Sequence, residues 1–183
     1  MTTVVKKKTH TFTILLEGKH DFETIAERIY ESCDDVLVSE CRGVIAIDFS
    51  RDNDTFVDAM LSALLQLFDM GFQVSRVEPD DLVNENEIAR RIDQSRQSVA
   101  QYISGVRGPG DFPVPVANVT GKRPLWHWHQ VLKWLYDNNI WGTQCDIDRS
   151  EPIAIANAAL ELLRHKDIQR IFQTLRDKSD KAA

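Results

Sequence analysis

The chain has 183 residues, 43% hydrophobic and 27% charged, with 22 Lys and Arg against 28 Asp and Glu for a formal charge of −6. That composition belongs to a globular protein with room for one domain or two small ones. No apolar run approaches the length of a membrane span, and Lys6-Lys7-Lys8 is followed by no apolar stretch or cleavage site of a secretory signal.

Three cysteines, Cys33, Cys41 and Cys145, are an odd number without the spacing of a disulfide framework. The expectation is a reduced, cytoplasmic protein without a membrane partner. The charge is unevenly spread. Residues 1–83 carry 8 basic and 16 acidic side chains, residues 84–135 carry 7 and 4, and residues 136–183 carry 7 and 8. A basic middle between acidic flanks is the footprint of a polyanion-binding segment in a chain that otherwise repels DNA.

His10 to Glu17 alternates apolar and polar residues and predicts a strand. Asp21 is placed as the N-cap of a helix to Ser32 with Phe22, Ile25, Ala26 and Ile29 on one side. Val36–Ser39 and Val44–Phe49 read as strands joined through Glu40-Cys41-Arg42-Gly43, a hairpin signal. Asp54 to Met70 is an amphipathic helix through Phe56, Val57, Met60, Leu61, Leu64, Leu65 and Phe68, stopped by Gly71, and Phe72–Val77 closes the segment as a strand. The order β-α-β-β-α-β predicts an α+β fold with a ferredoxin-like domain over residues 10–80, the helices burying those apolar residues on one face of the sheet. Such a domain serves either pairing with a second copy or sensing of a small molecule. The third strand lacks the basic-aromatic signature of an RNA-recognition domain. Cys33 and Cys41 border the strands as small core residues.

Residues 82–138 carry the function. Asn84 and Glu87 have capping-box spacing before a short helix with Ile88, Ala89 and Ile92 inside. Asp93-Gln94 leaves room only for a turn, and Ser95 caps a second helix, Arg96–Ser104, with Val99, Tyr102 and Ile103 inside and Gly105 after it. Two short helices across a tight turn form a helix-turn-helix. At about 100° per residue, Gln97 and Gln101 lie opposite Val99, suited to reading base edges, while Arg96 and Ser98 stand in the first turn. Phe112–Val116 and Leu125–Trp128 read as strand arms around Thr120-Gly121-Lys122-Arg123, a wing with two cations at its tip. A further helix runs from His129 to Tyr136.

Glu87-Ile88-Ala89, Ser95-Arg96-x-x-Val99, Phe112-Pro113-x-Pro115-Val116, Trp126 and Val131-x-x-Trp134-Leu135 occur in this order over residues 84–135. The segment resembles the MerR-like, AlpA/excisionase-type winged helix-turn-helix. That resemblance implies bacterial or phage DNA binding for transcription control or recombination architecture. The longer Gly108-Pro109-Gly110 loop and the α+β front end favour a regulator over a minimal excisionase. The DNA-facing set is Ser95, Arg96, Gln97, Ser98, Gln101, Arg107, Lys122 and Arg123, with Arg107, Lys122 and Arg123 on phosphates.

His127 and His129 fall on one face of the second arm and Cys145 follows at a distance, too loose a set for a zinc site, so no metal is assigned. No phosphate loop, nucleophile elbow or Ser-His-Asp context is present, so neither an enzyme nor a cofactor is expected. Over residues 150–177, Ser150-Glu151-Pro152 opens a helix whose stripe of Ile153, Ala156, Leu160 and Leu163 continues after a phase shift as Ile168, Ile171, Phe172 and Leu175. The stripe packs on the chain's own core or forms half of a dimer seam. Residues from Lys178 onward are expected to fray. The whole reads as a nucleoid-associated, homodimeric repressor acting on double-stranded DNA. The alternative is an interaction module, an antitoxin or adaptor, that grips a protein partner and binds DNA secondarily.

Overall fold

Along β1 (Lys8–Leu16), His10, Phe12, Ile14 and Leu16 are buried while Thr9 and Thr11 are exposed, the two-residue alternation of a strand with one covered face. The computed structural model describes residues 8–18, 21–164, 167–168 and 171. β1 is followed by α1 (Phe22–Ser32), β2 (Val36–Cys41), β3 (Val44–Asn53), α2 (Phe56–Asp69) and β4 (Val74–Glu78). The fold is α+β, with a four-stranded antiparallel sheet in the order β2-β3-β1-β4. One row of side chains crosses all four strands, because Ile47 pairs with both Val38 and Ile14, and Ile14 with Val77. All four are buried in one core with Ile25 and Ile29 of α1 and Ala59, Ala63 and Leu67 of α2.

Local chemistry sets the boundaries. Asp21 caps α1 by accepting from the Thr24 N–H at 3.0 Å. The β2–β3 turn is Arg42-Gly43 alone, at φ 55° and 78°. Two positive φ values in a two-residue loop match the right-handed twist of the flanking strands, so Glu40 and Cys41 extend β2. Cys33 is buried as expected, but Cys41 at the strand end is exposed and is not a core residue. Thr55 caps α2 by accepting from the Asp58 N–H, so the helix starts at Phe56 and not at Asp54. Only three of this helix's seven expected apolar residues are covered: Phe56, Met60 and Leu64 are buried, whereas Val57, Leu61, Leu65 and Phe68 are 38–61% exposed. The helix is apolar over more of its circumference than the sheet can cover.

A second core lies over residues 83–135. Its elements are β5 (Leu82–Val83), α3 (Glu85–Arg91), α4 (Arg96–Ile103), β6 (Trp126–His127) and α5 (Trp128–Asp137), with β5 and β6 antiparallel. The expected strand arms of the wing do not form. Pro113 and Pro115 bring no N–H to a ladder, and a single bridge joins Ala117 to Leu125. Trp126 and His127 pair instead with Val83 and Leu82, and the segment expected as a wing is a loop.

α6 (Gln144–Leu163) begins six residues before the expected Ser150. The stronger start is Thr143-x-x-Asp146, a complete capping box, and it leaves Pro152 inside the helix. Ile153, Leu160 and the partly covered Ala156 join the sheet's core, so this part of the stripe packs within the chain, while Leu163 is 73% exposed. Ile171 is exposed, and Phe172, Leu175 and the segment from Lys178 lie outside the described residues. Asn157 seals the β4 edge: its amide donates to the Val77 carbonyl at 2.8 Å and accepts from the Val77 N–H at 2.7 Å. Arg164 adds a bond to the Val74 carbonyl at 3.1 Å. Among the described residues, no helix is long and apolar enough to cross a membrane.

Candidate nucleic-acid interface

Asn84 starts α3 by accepting from the N–H groups of Asn86 and Glu87 at 3.0 and 3.1 Å. The expected capping box is only half made, because the Glu87 carboxylate turns to two nearer cations. It takes Arg90 at 2.6 and 3.0 Å and Arg91 at 2.9 Å. Hydrogen bonding to Arg90, with Arg91 behind it, lowers the Glu87 pKa from 4.5 to about 2.

After α3 the chain reverses through Asp93, at φ 51°, and the Gln94 N–H returns to the Ala89 carbonyl at 3.0 Å. Ser95 caps α4 by accepting from the Ser98 N–H at 3.1 Å. Val99 and Tyr102 face inward, and the Tyr102 ring meets Trp134 edge-on at 5.6 Å. With that side fixed, Arg96 and Gln97 are exposed, and Ser98 and Gln101 are half-buried. Arg107 is exposed, and its guanidinium lies 5.1 Å over the Tyr102 ring and donates to Ser98 Oγ at 3.4 Å.

The wing loop is held by side-chain anchors. The Trp126 indole donates to the Pro113 carbonyl at 2.9 Å, and the Trp134 indole to the Gly110 carbonyl at 2.9 Å. Asn118 crosses the loop to donate to the Arg123 carbonyl at 2.7 Å. Gly121 makes room for that crossing, since a Cβ there would stand 2.1 Å from Asn118 Oδ1. The loop carries Lys122 and Arg123 to the start of α3, where they line one surface recess with Arg96, Asn84, Glu85 and Asn86. Among the described residues lining the recess, Glu85 alone is acidic, 3.5 Å from Arg96.

Matches to known proteins add nothing: no family model, no curated protein and no solved structure matches the chain. Of the eight chosen from sequence, Arg96, Lys122 and Arg123 are brought together, Gln97 stands exposed beside them, and Gln101 lies one turn on. Ser95 and Ser98 are joined to each other at 3.0 Å, and Arg107 is folded against α4.

Sequence reasoning missed Asp81. It is buried between β4 and β5, and its carboxylate gathers both histidines: His127 Nδ1 meets Oδ2, and His129 Nδ1 meets Oδ1 at 2.9 Å. The His129 N–H donates to Oδ1 at 3.1 Å, and the Trp128 N–H to the Asp81 carbonyl at 2.6 Å. The histidines are not on one face of a strand, as expected. His127 ends β6 and His129 is the second residue of α5, and a single carboxylate brings them side by side. The three donors lie within 4.8 Å of one another, one ligand short of a closed tetrahedral zinc set, and each is already engaged by the others; Cys145 is not in the group. No periodicity marks Asp81, which lies 46 and 48 residues from its partners.

Proposed function

We propose that the chain is a sequence-specific DNA-binding transcriptional regulator, a homodimeric repressor of the MerR-like winged helix-turn-helix kind with a ferredoxin-like domain in front. The observation that carries this reading is the gathering of Arg96, Lys122 and Arg123 around one recess beside the exposed Gln97. The strand order β2-β3-β1-β4 with both helices on one face supports the ferredoxin-like assignment, and α3, the Asp93 turn and α4 support the helix-turn-helix.

In this mechanism α4 enters the major groove by its N-terminal end. Gln97 offers an amide that bonds adenine N6 and N7 together, and Gln101 follows one turn later. Arg96, Lys122 and Arg123 hold backbone phosphates on either side of the α3 start, fixing the register. The acidic sheet unit turns the rest of the molecule away from the duplex.

Selection from random-sequence DNA at two salt concentrations tests the reading. An enriched two-fold motif with steep salt dependence is the expected result, and absence of enrichment would overturn sequence-specific regulation. Replacing Lys122 and Arg123 with Ala should weaken binding to every sequence and lower the salt slope by about 2. An unchanged slope would remove the wing from the interface.

One observation favours the interaction-module reading. Val57, Leu61, Leu65 and Phe68 form an exposed apolar row on α2. A stoichiometric protein partner co-purifying from the native host, and lost in Leu61→Glu and Leu65→Glu, would make DNA binding secondary.

A further inference from the structure

Where α6 passes between the two cores there is a cavity of about 290 Å³, small but within reach of a ligand site. Phe12, Phe56, Trp128, Leu132, Trp141 and Ile153 give it apolar walls. Arg90, Arg91 and Arg149 also line it, and among the described residues Arg91 Nη1 and Arg149 Nε are buried without a hydrogen-bond partner.

Among the described residues neither nitrogen meets an acceptor. The Arg91 side chain is 10% exposed and held in place, with Nε on Glu87, Nη2 on the Asp80 carbonyl at 2.8 Å, and its plane 5.0 Å from the Trp128 ring. Arg149 stands 5.6 Å over the Phe56 ring, and among the described residues it makes no ion pair. Each of the cavity's two carboxylates is engaged elsewhere through one oxygen, and among the described residues neither bonds Arg91 or Arg149. Asp146 accepts from the N–H and hydroxyl of Thr143 at 2.8 and 2.7 Å, and Glu78 accepts from the Asp80 N–H at 3.3 Å. Buried donors without acceptors are destabilising, and a charged oxygen acceptor from a ligand relieves them with strong, directional bonds. The aromatic walls ask for a flat apolar body on the same ligand.

We propose that this cavity binds a small aromatic carboxylate, its carboxylate received by Arg91 and Arg149 and its ring by Trp128 and Phe56. The site uses none of the residues assigned to DNA, and it ties α3 to the sheet and α6, so its occupancy is a chemical input to the molecule.

The test needs no DNA. Benzoate and phenylacetate are titrated into the full chain by calorimetry, with benzamide as the uncharged counterpart of benzoate. Tryptophan fluorescence is followed in parallel, because two of the four tryptophans line the cavity. At least one carboxylate should bind saturably and perturb the fluorescence, with benzamide weaker by at least about tenfold. Arg149→Gln should weaken carboxylate binding by about tenfold or more, and Arg149→Lys should keep most of it. Binding of neither carboxylate at millimolar concentration, equal binding of benzoate and benzamide, or undiminished binding to a folded Arg149→Gln would each overturn the proposal. Should Arg149→Gln fail to fold, the benzoate and benzamide comparison on the unaltered chain decides alone.

Discussion

The sheet unit and the helical segment after it are held together by different means. In the first, aliphatic rows cross strand after strand, and Val38, Ile47, Ile14 and Val77 share one burial among many. In the second, residues 104–125 contain no helix or ladder, and the chain's course hangs on a few polar anchors. These are the two indole bonds from Trp126 and Trp134, the Asn118 amide on Arg123, and Asp81 with its histidines. A distributed core yields gradually to substitution, whereas an anchored loop yields at once where an anchor is removed. The difference fits the proposed DNA-binding role, in which a loop that presents cations to phosphates needs its tip placed, not buried.

All four tryptophans lie within residues 126–141, so their fluorescence follows the second region while far-UV circular dichroism follows both. Asp81→Ala should break the contrast hardest. It strips acceptors from two imidazoles and a backbone N–H, and urea unfolding read by tryptophan should show a loss of about 3 kcal/mol. A loss below about 1 kcal/mol would mean that water replaces the carboxylate freely. Trp126→Phe keeps the ring but leaves the Pro113 carbonyl without its donor, for an expected loss of about 1.5 kcal/mol by the same readout. Ile47→Val, in the middle of the sheet row, should cost about 1 kcal/mol by circular dichroism and leave the tryptophan environment unchanged.

The smallest effect concerns Glu87. Its folded-state value of about 2 lies below the ordinary 4.5, so folding favours the ionised form. The stabilisation it brings is complete above pH 4.5 and is lost as pH falls toward about 2. Glu87→Gln should flatten stability in that acid window and cost well under about 1 kcal/mol near neutrality, because Arg90 is largely exposed to solvent. An unchanged acid limb would show that the Glu87 pairs do not contribute.

What was legible in the sequence follows the same division. β1 to β4 with α1 and α2 were visible because strands and amphipathic helices write their period into adjacent residues, and Asp21 and Ser95 announced their caps by spacing. The exposed side of α2 was not, since periodicity places apolar residues but not the surface that covers them. The wing's arms were misread although Pro113 and Pro115 stood in plain view as residues that cannot donate to a ladder. Thr143 and Asp146 had the capping spacing too, yet Ser150-Glu151-Pro152 drew the start of α6 six residues late. Asp81 had no local signal, because its partners lie beyond two helices and a loop. The meeting of Arg96 with Lys122 and Arg123 was foreseen in its members, while the recess they line was set by Asn118, Gly121 and the single bridge at Leu125.

The amide of Asn157 on the Val77 backbone also sets an order of events during synthesis. The β4 edge is complete in sequence at residue 78, but its cover, Asn157, lies 80 residues downstream of Val77. While the ribosome makes the intervening segment, the sheet can fold with that edge bare, a template for strands of neighbouring nascent chains. Protection of this edge arrives only when α6 emerges, so slow translation between residues 78 and 157 lengthens the interval in which it is open to mispairing.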